Sequence, residues 1–127
     1  MKILVVDDDL FTLRSIEHNL RGEGYEVSVS EDGFSALEIL QKEKIDLIIC
    51  DIMMPNLSGL GFLNLLKQFY LNRIPVIVIS SLDKADVILC TMGLGANDFI
   101  VKPINFEELS IRIKKHLYTS PSPSKNL

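Results

Sequence analysis

Three consecutive carboxylates, Asp7, Asp8 and Asp9, follow a short apolar run, and Asp51 follows a second one, Ile48-Ile49-Cys50. Adjacent carboxylates repel one another unless a cation or a helix N-terminus compensates them. Asp is also a favoured helix N-cap, so for the triplet alone capping and metal binding stand as equal readings. Asp51 breaks that balance in combination. A charge ending one apolar strand, beside a neighbouring strand that ends in Asp7 and Asp8, gathers three carboxylates suited to a hard divalent cation. Mg²⁺ fits such a set, because it keeps several waters and takes few protein carboxylates beside phosphate oxygens; the chemistry implied is phosphoryl chemistry. Ser80 and Ser81 end another apolar run and bring hydroxyl and N–H donors for an anion, and Lys102 ends the next and brings an ammonium. Serines after a strand are common, and a lone lysine reads as a surface residue. The succession of these groups, one strand end after another, is what argues for a site. The peptide between Lys102 and Pro103 is a candidate for the cis form.

Such groups meet only if the strands lie side by side. Lys2 to Val6, Ile45 to Cys50 and Val76 to Ile79 are nearly continuous Val, Ile and Leu, the pattern of central strands covered on both faces. Tyr25 to Val29 alternates, as an edge strand does, and Asp98 to Val101 supplies a fifth strand. Between them Leu13, Ile16 and Leu20, then Ala36, Leu37 and Leu40, then Phe62, Leu63 and Leu66 recur at helical spacing. Gly22 and Gly24 stop the first helix, a fourth covers Lys84 to Leu94, and a last one starts at Asn105 as cap and runs to about Leu117. Five βα units predict an α/β fold, a doubly wound five-stranded parallel sheet whose functional groups gather at the carboxyl ends of the strands.

The 127 residues, 47% hydrophobic and 24% charged, make one domain with a core that needs no disulfide or metal staple. A net charge of −4 with no basic stripe argues against nonspecific nucleic-acid binding. Cys50 and Cys90 suit reduced thiols in a cytoplasmic protein. The apolar start is too short for a secretion signal, and no apolar run nears membrane-spanning length. Residues 1–118 read as the domain, and the Ser/Pro-rich stretch 119–127 as a flexible tail or a truncated linker.

From Lys2 to about Leu117 the chain resembles the receiver domain of two-component response regulators, of the chemotaxis-regulator type. Asp7 and Asp8 stand at the family's acidic pair, Asp51 at its phosphoacceptor, Met53-Met54-Pro55 with Gly59 at its post-acceptor loop, Ser80 at its switch hydroxyl, and Lys102-Pro103 at its lysine-proline. The resemblance implies the flavodoxin-like receiver fold with strand order 2-1-3-4-5. It implies Mg²⁺ held by Asp7 or Asp8, by Asp51 and by the backbone carbonyl of Met53. It further implies transfer of a phosphoryl group to Asp51 from a sensor histidine kinase, a histidine phosphotransfer protein or a small phosphodonor. In that reading Lys102, Ser80 and Ser81 bind the phosphoryl oxygens, and Ser80 with Phe99 forms the switch. Phe99, without a phenolic hydroxyl, makes a latch that rests on packing alone.

The chain departs from the family pattern at Ser58, where Asp is common, and at Met53 and Leu82, two residues beyond the acceptor and the switch hydroxyl. Neither apolar side chain orients water, so slow hydrolysis of the aspartyl phosphate is expected. Val87 to Leu94 is more apolar than one buried face requires. Either the helix is wholly buried, or Ile88 and Met92 form an exposed stripe of an output face made by helix 4, strand 5 and helix 5, with Asp98, Glu108 and Arg112 as its polar rim. That face would engage an output domain or protein, or a second copy after phosphorylation. Specificity for the kinase is expected around Phe11, Arg14, Ser15 and His18 on the first helix. Two rival readings are a haloacid-dehalogenase-like phosphatase with Asp7 as nucleophile, and a receiver that only mediates interactions. A flavin-binding module is disfavoured, since Asp7 to Asp9 would repel its phosphate.

Overall fold

The computed structural model describes residues 1–53, 59–70 and 74–118; the expectations on Met54, Pro55, Ser58 and residues 119–127 fall outside them. Strands and helices alternate as β1 (Lys2–Val6), α1 (Leu10–Gly22), β2 (Glu26–Ser30), α2 (Gly33–Lys42), β3 (Leu47–Asp51), α3 (Gly59–Tyr70), β4 (Val76–Ser80), α4 (Ala85–Gly93), β5 (Asp98–Val101) and α5 (Phe106–Tyr118). The strands pair in parallel in the order β2-β1-β3-β4-β5, the order that the resemblance implied. β1 pairs with β2 on one side and with β3 on the other, so the strand order reverses there and leaves a crevice at the carboxyl ends of β1 and β3.

Alternation along the central strands divides the core in two. Ile3, Val5, Leu47, Ile49, Ile77 and Ile79 face α1 and α5, where Leu13, Ile16, Leu20, Leu109 and Ile113 cover them. Leu4, Val6, Ile48, Cys50, Val76 and Val78 face the other way, onto Ala36, Leu40, Phe62, Leu63 and Leu66. Both faces are apolar because helices cover both, which is why these strands read as continuous Val, Ile and Leu rather than as alternating runs.

Helix ends follow local chemistry. Asp9 caps α1 and accepts from the Phe11 N–H at 3.1 Å and the Thr12 hydroxyl at 2.7 Å. Gly24, with φ of +94°, turns the chain from α1 into β2. Asn105 caps α5 as expected, its Oδ1 accepting from the Glu108 N–H at 3.0 Å. β3 begins two residues later than the apolar run suggests and includes Asp51. Asp46 instead joins Lys2, whose amide donates to its carboxylate at 2.8 Å.

Helix α4 is not buried: among its residues only Thr91 is fully covered, its hydroxyl donating to the Val87 carbonyl at 2.8 Å. Val87, Thr91 and the following Leu94 form the inward face. At 100° per residue the opposite face is centred on Leu89, with Met92 beside it and Ile88 on the flank. Leu89 is 71% exposed and Met92 39%, whereas Ile88 is half-buried, so the apolar stripe is Leu89 with Met92 rather than Ile88 with Met92. Both cysteines are free, Cys50 inside β3 and Cys90 exposed on α4. No described helix is long and apolar enough to cross a membrane.

Candidate functional site

At the crevice, the three adjacent aspartates take three different positions. Asp7 is fully buried at the end of β1, Asp8 is exposed, and Asp9 is spent on capping α1. Capping and cation binding, equal readings for the triplet, are thus divided among its members. Asp51 is buried at the end of β3, its Oδ1 accepting from the Met53 N–H at 2.8 Å and its Oδ2 from Lys102 Nζ at 2.8 Å. Lys102 Nζ also lies 3.1 Å from Asp7 Oδ2. That lysine leaves β5 through the cis peptide to Pro103, and its N–H donates to the Ser80 carbonyl at 2.8 Å, tying the β5 end to the β4 end.

The electrostatics of this group are unbalanced. Among the described residues, Lys102 supplies the one ammonium beside Asp7, Asp8 and Asp51. Burial raises the Asp7 carboxyl above its ordinary range, and the Asp51 charge adds to the rise, against the Asp9 N–H and Lys102, which lower it. Burial works to lower the Lys102 ammonium, but its hydrogen bond to Asp51 and its ion pair with Asp7 outweigh that and raise it, holding the charge firmly. Burial also pushes the neighbouring Cys50 thiol up to about 12, so it stays a neutral core residue. Asp7 Oδ2, although at ion-pair distance from Lys102, is buried and accepts no directed hydrogen bond.

A buried carboxylate oxygen that has an ion pair but no hydrogen bond is incompletely satisfied, and a bound cation would complete it. Oxygens of Asp7, Asp8 and Asp51 all lie within 4.8 Å of one another, so one small cation could touch all three. The set is made of hard oxygen donors only, with one member open to water, and this fits Mg²⁺.

Ser80 is fully buried, and its Oγ accepts from the Leu82 N–H at 2.9 Å, while Ser81 is exposed at the mouth. Met53 and Leu82 are both exposed at the rim. Phe99 is half-buried and packs with the core cluster on the α2 and α3 side of the sheet. Beside Lys102 a cleft of about 490 Å³ opens between the start of α1 and the segment leading into α5, walled by Phe11, Pro103, Ile104 and Phe106. This cleft escapes a reading of the sequence, because its two walls are ninety residues apart and only the sheet order brings them together.

The expected polar rim of the output face is partly corrected. Asp98 is buried, not at a rim: on β5 it shares a side with Ile100, which points into the α1 and α5 core. There Arg112 binds one carboxylate oxygen of Asp98, and His116 Nε2 lies 3.0 Å from the other. Arg112 also reaches Glu108, at 3.5 Å, which is exposed. The sequence signal for His116 is its i, i+4 spacing from Arg112, which puts both on one face of α5.

Known proteins resemble this chain in sequence and in fold. Residues 3–114 match the model of the response regulator receiver domain. A probable transcriptional regulator ycf27 of Cyanophora paradoxa is 38% identical over 123 residues, covering 97% of this chain and 51% of that protein. The chain therefore spans about half the length of most of the curated relatives it matches. Among solved structures, the receiver domain of Francisella response regulator 1452 superposes with a TM-score of 0.88 at 32% identity, covering 94% of this chain and 98% of that one. The Vibrio cholerae chemotaxis protein CheY4 does so at 0.84 and 30%, covering 90% and 96%. A phosphatase with Asp7 as nucleophile is thereby set aside, and the chain belongs to the response regulator receiver domains of two-component systems.

Proposed function

We propose that this domain is a phosphorylation switch whose acceptor is Asp51. The observation that supports the reading best is the buried Asp51 carboxylate, held by Lys102 and the Met53 N–H, beside an Asp7 oxygen that the protein leaves without a hydrogen bond. Asp7 or Asp8, Asp51 and the Met53 carbonyl would hold Mg²⁺, which when bound supplies positive charge to the phosphoryl oxygens and the acceptor. A carboxylate oxygen of Asp51 attacks phosphorus in line as the bond to the donor's nitrogen or oxygen breaks, through a loose transition state in which positioning and electrostatics do most of the work. Lys102 neutralises charge on the equatorial oxygens. Ser80 leaves the Leu82 N–H and donates its hydroxyl to a phosphoryl oxygen, Ser81 adds a donor at the mouth, and Phe99 repacks into the space released.

The donor is a histidine kinase or phosphotransfer protein that meets α1 around Phe11, Arg14, Ser15 and His18. The output runs through α4, β5 and α5, where Leu89, Met92 and Val101 present exposed apolar surface to an output domain, a target protein or a second copy. Glu108 and Arg112 border that surface.

Intact mass after incubation with Mg²⁺ and acetyl phosphate tests the reading. One added phosphoryl group is expected, absent from Asp51→Asn and after chelation with EDTA. Its absence from the folded wild-type domain, or its persistence in Asp51→Asn, would overturn it.

A further inference from the structure

The fold partly buries three described lysines, and two of them are tied to carboxylates: Lys2 to Glu43, and Lys102 to Asp51 and Asp7. Lys67, near the end of α3, is the third, and among the described residues no carboxylate pairs with it. Its stem fills the space that Gly95 leaves. A Cβ at Gly95 would come within 2.7 Å of Lys67 Cε and 3.1 Å of its Cδ and Cγ. Gly95, with φ of +108° and its N–H donating to the Met92 carbonyl at 3.0 Å, closes the turn from α4 into β5. The methylenes of Lys67 thus lie across the backbone of that turn, while solvent still reaches the residue. Burial acts on the ammonium without a described counter-charge and lowers it below the ordinary lysine range. A lysine reacts as the free amine, and desolvation makes that form easier to reach. With no described carboxylate beside it, a dianionic reagent also meets no repulsion there.

We propose that Lys67, seated on the α4–β5 turn without a carboxylate partner, is an acyl acceptor for small acyl phosphates, which offer a carbonyl carbon as well as a phosphorus to attack. The ammonium first gives a proton to water. The lone pair of the free amine then bonds to the carbonyl carbon, and the bond from that carbon to the phosphate oxygen breaks. Its electron pair leaves on phosphate, which also takes the surplus proton of the nitrogen. Neither Asp51 nor a metal ion takes part. The product exchanges an ammonium for a neutral amide at the turn that joins α4 to β5, two elements of the output face.

Incubation of the full chain with acetyl phosphate, followed by proteolysis and mass spectrometry, gives the acetylation rate of each lysine. Lys67 should label about fivefold faster than the exposed Lys114. Asn64→Glu, at an exposed position of α3 one turn before Lys67, supplies a carboxylate that pairs with the ammonium and repels the reagent. It should bring the Lys67 rate down to that of Lys114, whereas Asn64→Gln should keep the wild-type rate. Both changes lie on the surface and leave the core untouched. Labelling of Lys67 no faster than of Lys114, or a fast rate that Asn64→Glu leaves unchanged, overturns the assignment. Acetylation of Lys67 and phosphorylation of Asp51 are read on different residues, so failure of Asp51 to label would leave the Lys67 result intact.

Discussion

The domain buries two charged clusters at opposite ends of its chemistry. At the crevice, Asp7 and Asp51 share one lysine with the exposed Asp8 close beside them, and a buried Asp7 oxygen goes without a hydrogen bond. On the far side of β5, a single carboxylate, Asp98, has both oxygens occupied, one by Arg112 and one by His116. The second cluster is complete and ties β5 to α5. The first is held together under mutual repulsion, which is what a binding site for cations and phosphoryl groups requires and what a structural tie avoids. Asp7, Asp51 and Asp98 are all buried, and the completeness of pairing separates the two clusters.

The largest expected effect tests the completed cluster. Asp98→Ala removes the shared partner of Arg112 and His116 and should cost about 3 kcal/mol of stability in urea denaturation, with or without Mg²⁺. A loss that Mg²⁺ reverses would tie this cluster to the site and erase the contrast. Asp7→Asn should act with the opposite sign. It removes a buried charge from an over-negative group and should stabilise the metal-free domain by about 2 kcal/mol, while abolishing stabilisation by added Mg²⁺. Destabilisation by Asp7→Asn without metal would mean that the crevice is paired after all.

The contrast also shows which features the sequence alone discloses. Strands β1, β3 and β4 stand out because burial on both faces removes the alternation that would otherwise mark a side, and the same loss hides which face each residue meets. Asp7, Asp51 and Lys102 are legible as candidates only together, because polar groups end one apolar strand after another. Strand order came from the resemblance and not from periodicity, and nothing in three adjacent aspartates tells that Asp7 is buried, Asp8 open and Asp9 a cap. Asp98 reads as a rim residue because strand 5 belongs to the expected output face, whereas its burial depends on β5 turning Asp98 and Ile100 together toward α5. On α4 the uniform apolarity concealed the phase of the helix, so the stripe was displaced by one residue from Leu89 to Ile88.

A smaller effect probes how the open site meets water after it is filled. Met53 and Leu82 are exposed at its rim and carry no group that holds a water molecule. Met53→Asn combined with Leu82→Glu should speed loss of the phosphoryl group about tenfold, followed by intact mass after removal of the donor. An unchanged rate would show that water reaches the acceptor by a route these side chains do not control.

The smallest effect sets the scale for charge pairs that burial does not amplify. Lys2 Nζ lies 2.7 Å from Glu43 Oε1, which also accepts from the Ser28 hydroxyl at 2.6 Å, and both charged side chains are about one third exposed, at 30% and 34%. The Lys2 hydrogen bond, then that of Ser28, holds the Glu43 carboxyl below its ordinary 4.5. A carboxyl whose value is depressed on folding binds fewer protons folded than unfolded in that range. Its contribution is therefore present above 4.5 and is lost as pH falls through the depressed value. Glu43→Gln should leave stability nearly unchanged in salt at neutral pH and should flatten the acid limb of the stability curve slightly, less so as salt screens the pair. A loss rivalling that of Asp98→Ala would mean that proximity of charges, rather than their burial, sets the energetic weight of both interior clusters.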